Sequence, residues 1–189
     1  MTKQELRKLY RQKRLELQDR QQVVNDDLLL IQFQQMSIFD ISSLLSYFPI
    51  AGKKEPNVLN ITNYFRYMIP HLTISYPVSD ALSRNMKALA VNEDTVYRSG
   101  AFQILEPKEG DEVPPEAIDM VLVPLLAFDK RGYRVGYGKG YYDLFLSKCR
   151  SDVLKIGCSY FPPVPFISDI DKYDIPLTHC VTPQVVYEF

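Results

Sequence analysis

Apolar positions recur at helical spacing from Leu6 to Phe33. Leu6, Leu9, Tyr10 and Leu17 fall on one side of a helix over residues 2–18, and Lys3, Arg7 and Arg14 line up on an adjacent stripe. A second helix starts at Asp19, carries Val23, Val24, Leu28, Ile31 and Phe33, and ends near Met36. The pattern then changes. Residues 43–48 read as a buried strand stopped by Pro49, followed by a short loop and a helix that spaces Val58, Ile61, Phe65 and Met68. The alternation Leu72, Ile74, Tyr76 predicts a strand, and residues 86–91 predict another. Residues 106–117 are acidic and proline-rich, which predicts a surface loop. Residues 118–126 are the most hydrophobic segment and read as a central strand, with Pro124 marking its carboxyl end. A turn at 128–132, a helix at 141–149, a strand at 153–158, a proline-rich loop and a terminal strand at 185–189 complete the chain. Strands alternating with helices, without repeat or linker, predict one α/β domain over residues 1–189.

Composition narrows the function classes. The 189 residues carry 22 Lys+Arg against 23 Asp+Glu, a formal net charge of −1, so the chain lacks the global basic field of a duplex-binding protein. The longest apolar run, Met120 to Phe128, falls well short of the ~20 residues that cross a bilayer. The polar start shows no apolar signal core. A cytoplasmic protein is expected, monomeric or weakly dimeric, with neither nucleic acid nor membrane as partner. Cys149, Cys158 and Cys180 read as reduced, mostly buried thiols. His71 and His179 lie far apart and there is no Cys-x-x-Cys pair, which argues against a zinc site.

Glycine is the exception to this ordinary composition. Of eight glycines, Gly132, Gly136, Gly138 and Gly140 fall in one stretch, so half of the supply sits in a single loop. The loop runs Gly132-Tyr-Arg-Val-Gly136-Tyr-Gly138-Lys139-Gly140-Tyr141-Tyr142-Asp143 and leads into a helix. Alternate glycines let backbone N–H groups approach a ligand without Cβ interference, and a helix N-terminus adds positive potential. Lys139 and Arg134 bring formal charge, a combination suited to a polyphosphate. Asp143 lies one turn into the helix, placed either to hold Mg²⁺ beside the phosphates or merely to complement the helix dipole. Two better-known phosphate motifs do not fit. The spacing from Gly132 to Gly138 is one residue too long for a P-loop, and Gly140 replaces its hydroxyl. The Gly-x-Gly-x-Gly run is not the dinucleotide fingerprint. A plain glycine-rich surface turn stays open as the alternative.

The run LVPLLAFDKRGYRVGYGKGYYDLFL over residues 122–146 strongly resembles the 5-formyltetrahydrofolate cyclo-ligase (methenyltetrahydrofolate synthetase) family. That family's motif joins an apolar strand, Pro, Phe-Asp-x-x-Gly and Arg-x-Gly-x-Gly-x-Gly-Tyr-Tyr-Asp. Lys3 and Arg7 match its opening Lys-x-x-x-Arg, Glu106-Pro107 its Glu-Pro loop, and Asp174 with Val181-Thr182 its closing segment. The resemblance implies a three-layer α/β fold akin to the ribose-5-phosphate isomerase and coenzyme A transferase group. It implies ATP as co-substrate, bound by Lys3, Arg7, Arg134, Gly136, Tyr137, Gly138, Lys139, Gly140, Tyr141, Tyr142 and Asp143, with Lys139 and Arg134 catalytic. Mg²⁺ would be held by Asp143 and Asp174, and the folate by Glu55, Phe48 and Tyr141. The implied reaction converts 5-formyltetrahydrofolate to 5,10-methenyltetrahydrofolate through a phosphorylated N5-formyl group.

One segment departs from the family. Where relatives read Glu-hydrophobic-Asp/Glu-Thr, this chain reads Glu55-Pro56-Asn57-Val58, so only the glutamate is kept. Position 137 is Tyr where some relatives carry Arg, in a slot that varies. Without the motif, Lys3 and Arg7 read as a solvated helix face, Glu55 as an exposed acid and Asp174 as a turn brace. A non-catalytic nucleotide- or folate-binding module on the same scaffold is the alternative to the enzyme.

Overall fold

The computed structural model describes residues 1–189 apart from 39, 81, 82, 84, 101 and 102. Helix α1 (Lys3–Glu16) starts where Thr2 and Glu5 form a reciprocal capping box. Helix α2 (Asp19–Gln35) follows directly. Strand β1 (Ser43–Leu45) leads to helix α3 (Val58–Met68), then to strands β2 (Thr73–Ser79) and β3 (Met86–Ala90). Three short strands come next: β4 (Tyr97–Ser99), β5 (Leu105–Pro107) and β6 (Glu112–Val113). Strand β7 (Met120–Val123) precedes a hairpin of β8 (Ala127–Phe128) and β9 (Arg134–Val135). Helix α4 (Tyr141–Leu146) and strands β10 (Leu154–Cys158), β11 (His179–Val181) and β12 (Val186–Glu188) end the chain.

Eight strands form one sheet in the order β12-β11-β10-β7-β1-β2-β3-β6. The five from β11 to β2 run parallel, and β12, β3 and β6 join antiparallel at the edges. The period of two divides the parallel strands between two cores, so the sheet is buried on both faces. Leu44, Met120, Leu122, Ile156 and Val181 pack under α2 and α3, through Leu29, Phe33, Ile61 and Phe65. Leu45, Val121, Val123 and Cys180 pack on the opposite face with Phe145 and Leu146 of α4. The result is the three-layer α/β arrangement. A third cluster seats Leu6 and Tyr10 of α1 against Leu126, Ala127 and Val135, which fixes α1 beside the hairpin.

The boundaries correct several expectations. The central strand is four residues rather than nine, because its ladder ends at Val123, before Pro124, which has no N–H to donate. The first strand stops at Leu45 rather than at residue 48, and α4 stops at Leu146 rather than at 149. The acidic stretch 106–117 is not all surface loop: it holds part of β5, all of β6 and a 3₁₀ turn, and Glu106 is buried. On α2 the buried residues are Leu29 and Phe33, while Val23, Val24 and Ile31 are exposed. On α1, Leu9 is exposed and Arg14 is buried. No helix among the described residues is long and apolar enough to cross a membrane.

Candidate active site

The sheet changes direction of growth at β1, with β2 on one side and β7 on the other. Such a switch point opens a crevice at the carboxyl ends of the strands. Here the crevice is a cavity of about 590 Å³, walled by Tyr47 and Phe48 after β1, Pro77 and Ser79 of β2, and Pro124 after β7. The rest of the wall is supplied by α1, the glycine loop and α4, with residues 50–55, Met86 of β3, Ile104 and Glu106 at β5, and Asp174.

The hairpin that carries the glycine loop is built around Asp129. This side chain has no exposed surface and accepts N–H bonds from Arg131 (2.9 Å), Tyr133 (3.1 Å) and Ile167 (3.1 Å). Gly132 has φ +84°, and a Cβ there would lie 2.8 Å from the Phe189 ring and 3.0 Å from the Leu177 carbonyl oxygen. The Phe-Asp-x-x-Gly part of the motif is therefore a turn with a buried acceptor and a position open only to glycine. It delivers Arg134 into the interior, where the guanidinium donates to the Ile175 carbonyl and to Asp143 Oδ1 (2.9 Å).

The loop then crosses the tip of α1. Arg7 Nε donates to the Gly136 carbonyl (3.0 Å), and Gly138, at φ +89°, passes with its would-be Cβ 3.2 Å from the Arg7 guanidinium carbon. Lys3 Nζ is paired with Asp174, and its backbone N–H donates to Asp169 Oδ1 (2.6 Å). Lys3, Arg7, Arg11, Arg134 and Lys139 thus converge on one end of the cavity. Helix α4 is only six residues long, so its dipole adds little and the positive potential there comes from side chains.

The other end is aromatic and carboxylic. Glu55 is buried: its Oε2 accepts from the Ile50 N–H (2.6 Å) and its Oε1 from the Tyr137 hydroxyl (2.6 Å). Phe48 stacks on Tyr76 with centroids 4.2 Å apart and meets the Tyr97 ring edge-on at 5.2 Å. Both Tyr141 and Tyr142 line the cavity. The Tyr142 hydroxyl is buried with no hydrogen-bond partner among the described residues, while Tyr141 donates to the Asp80 carbonyl (3.3 Å). Burial, reinforced by the Glu55 charge, pushes the Tyr137 and Tyr142 phenols well above their ordinary range, so both stay protonated donors.

With this geometry in view, the sequence profile described as the 5-formyltetrahydrofolate cyclo-ligase family matches residues 1–183. The chain belongs to the 5-formyltetrahydrofolate cyclo-ligase family. Membership makes it a ligase. A 5-formyltetrahydrofolate cyclo-ligase of Mycoplasma genitalium is 31% identical over 185 residues, spanning 94% of this chain and 97% of its own. One from Escherichia coli is 29% identical over 122 residues, 63% of this chain and 65% of that protein. The fold matches the 5,10-methenyltetrahydrofolate synthetase of Aquifex aeolicus with TM-score 0.81 at 31% identity, covering 100% of this chain and 93% of that one. For the Mycoplasma pneumoniae synthetase the values are 0.78 and 25%, over 97% and 99%.

All of the site residues that the cyclo-ligase motif implies line the one cavity: Lys3, Arg7, Phe48, Glu55, Asp174 and the loop from Arg134 to Asp143 except Val135. Glu55, which its Lys-Lys-Glu setting marks equally as an exposed acid, is one of the more buried polar groups. Arg11, Tyr47, Lys53, Ser79 and Glu106 also line the cavity and were not assigned to the site from sequence. Arg11 had a signal, lying one helical turn after Arg7; Glu106 had one in the Glu-Pro pair, masked by the acidic composition around it. Arg14 does not line the cavity but stands directly behind Glu55.

Among the described residues no three His, Cys, Asp or Glu side chains group as a metal cage. Asp143 and Asp174 use one oxygen each in the contacts above, Oδ1 and Oδ2 respectively. Two hard carboxylates fit Mg²⁺ that takes its remaining ligands from phosphates and water, rather than a cation held by protein alone.

Proposed function

We propose that the chain converts 5-formyltetrahydrofolate to 5,10-methenyltetrahydrofolate with ATP and Mg²⁺, releasing ADP and phosphate. The single observation that carries this reading is one cavity with two chemically distinct ends. Cations and glycine-loop amides gather at one end, and a buried carboxylate with aromatic walls stands at the other.

The formyl oxygen attacks the γ-phosphorus and ADP leaves, giving a phosphorylated N5-formyl group. N10 then attacks the activated carbon, its proton is lost, and phosphate departs with the former formyl oxygen. Phosphoryl transfer asks a protein mainly for alignment and charge stabilisation. Lys139 and Arg134 serve the transferring phosphoryl group, while Lys3, Arg7 and the amides around Gly136, Gly138 and Gly140 hold the polyphosphate. Tyr141 and Tyr142 close the wall between the ends. Glu55 orients the bicyclic ring of the folate beside Phe48 and is in place to accept the N10 proton. Mg²⁺, held by Asp143 and Asp174, would neutralise phosphate charge during transfer. The protein is proposed to act in the cytoplasm as a monomer or weak dimer, on small molecules only.

The test is the absorbance of the methenyl product from 5-formyltetrahydrofolate with MgATP. Product formation that stops on chelation by EDTA supports the reading. ATP binding without product leaves a binding module instead. In active protein, Lys139→Ala should lower kcat by about 100-fold or more, as loss of a transition-state donor does. Near-normal turnover would remove Lys139 from that role.

A further inference from the structure

We infer that Tyr137 and Arg14 are positioning residues for Glu55, so that the glycine loop and the folate-side carboxylate are set as one unit. The inference rests on the cyclo-ligase reading and reassigns Tyr137, which the motif alone places with the nucleotide.

The geometry is directional. Arg14 NH2 donates to the Leu125 carbonyl, and its NH1 donates to the Tyr137 hydroxyl oxygen (3.3 Å) while lying 3.6 Å from Glu55 Oε1. Because the Tyr137 oxygen accepts from Arg14, its own proton points away from Arg14, toward Glu55 Oε1 at 2.6 Å. Chains of this kind polarise each member, and the charged donor at one end strengthens the bond at the other.

Burial shows that the arrangement serves more than packing. The Arg14 and Glu55 side chains are each 2% exposed, and burying such a pair is no better for stability than apolar residues of the same volume. What it secures is orientation. A carboxylate has about four acceptor sites. Ile50 N–H takes one on Oε2 and Tyr137 one on Oε1, which fixes the carboxylate plane and keeps further lone pairs for a donor in the cavity. The backbone behind Glu55 is fixed as well. Asp26 of α2 accepts from Asn57 N–H (2.9 Å), and the Tyr160 hydroxyl lies 2.6 Å from Asp26 and 3.1 Å from the Glu55 carbonyl oxygen. The residues after Glu55 are thus anchored by contacts from elsewhere in the chain.

The groups that face Glu55 are Arg14 from α1, Tyr47 beyond β1, Tyr137 from the loop and Tyr142 from α4, with Asp26 behind its backbone. The three phenols stay protonated to high pH, so Arg14 is the one cation of this group. Removing the Tyr137 hydroxyl withdraws a donor from Glu55 Oε1 and leaves the carboxylate plane free to turn.

Tyr137→Phe keeps the ring and removes one oxygen. KM for 5-formyltetrahydrofolate should rise about tenfold, the loss typical of a hydrogen bond to a charged group, with KM for ATP within about twofold of wild type. A rise in folate KM against an unchanged ATP KM is a split that mere loosening of the loop, which also carries the nucleotide contacts, would not produce. Arg14→Lys keeps the charge without the two-pronged geometry and should give the same split between folate KM and ATP KM. A rise in KM for ATP alone, or an unchanged folate KM, overturns the inference while leaving the cyclo-ligase reading intact. Wild-type protein that forms no methenyl product overturns both.

Discussion

Asp129 ties the hairpin turn to Ile167, beside the backbone bonds that Phe128 and Lys130 make with Val164. It accepts from the backbone at Arg131, Tyr133 and Ile167, and from the Arg131 guanidinium at 2.9 Å. Exchange of one oxygen for an amide turns an acceptor into a donor facing donors. Asp129→Asn should therefore destabilise the protein by about 3 kcal/mol, the scale of an orphaned buried group beside a lost ion pair. The urea midpoint checks this, and a change under about 1 kcal/mol would show that water can replace the carboxylate. Residues of this kind were legible as motif members and illegible as structure. The order Phe-Asp-x-x-Gly marks a turn, but nothing in it says that the aspartate bonds to Ile167, far along the chain. Glu55, Arg14 and Tyr137 are similar. Each sits in a locally polar context, and only the fold makes them neighbours.

At the scale of elements, legibility followed burial. Helices α1 and α3 and the strands β7 and β10 carry strong periodic or continuous apolar signals and were readable in kind and place. The failures were edge and hairpin strands. Strand β6 has two residues, pairs only with β3 and is mostly exposed, so no hydrophobic face betrays it. Helix α2 was read with the wrong face because the run Leu28-Leu29-Leu30-Ile31 has no single periodic phase. Tertiary contact chose it: Phe33 meets Phe65 of α3 edge-on at 6.2 Å. Strands β4 and β5 show what such small elements do. They bring Gly100 against the buried Glu106, whose Oε1 accepts from Ser79 N–H (2.9 Å) at the cavity wall. A Cβ at position 100 would lie 2.1 Å from the Glu106 carboxyl carbon. Gly100→Ala should push that carboxylate off Ser79 and cost about 1–2 kcal/mol through the orphaned N–H. Thermal unfolding measures it, and an unchanged midpoint would mean that the carboxylate is not needed there.

Across the whole molecule, a net charge of −1 conceals a local concentration of charge, with Lys3, Arg7, Arg11, Lys53, Arg134 and Lys139 lining one cavity and Asp174 and Asp143 paired to two of them. The phenols and thiols set the response to alkali. Burial raises Tyr47, Tyr76, Tyr137, Tyr142 and Tyr160, and likewise the thiols of Cys158 and Cys180, with the Cys149 thiol pushed up to about 11. For each group the folded state holds a proton that the unfolded chain releases. The sign follows: stability is complete below the unfolded values, about 8.5 for a thiol and about 10 for a phenol, and falls as pH rises toward the folded values. The urea midpoint should hold steady to about pH 8 and drop progressively above about pH 9. Tyrosinate absorbance from the buried phenols should appear together with loss of the near-ultraviolet circular dichroism. Complete phenol ionisation while that signal persists would show that the cavity tyrosines are solvated, and with them the pocket that is proposed to keep Glu55 in place.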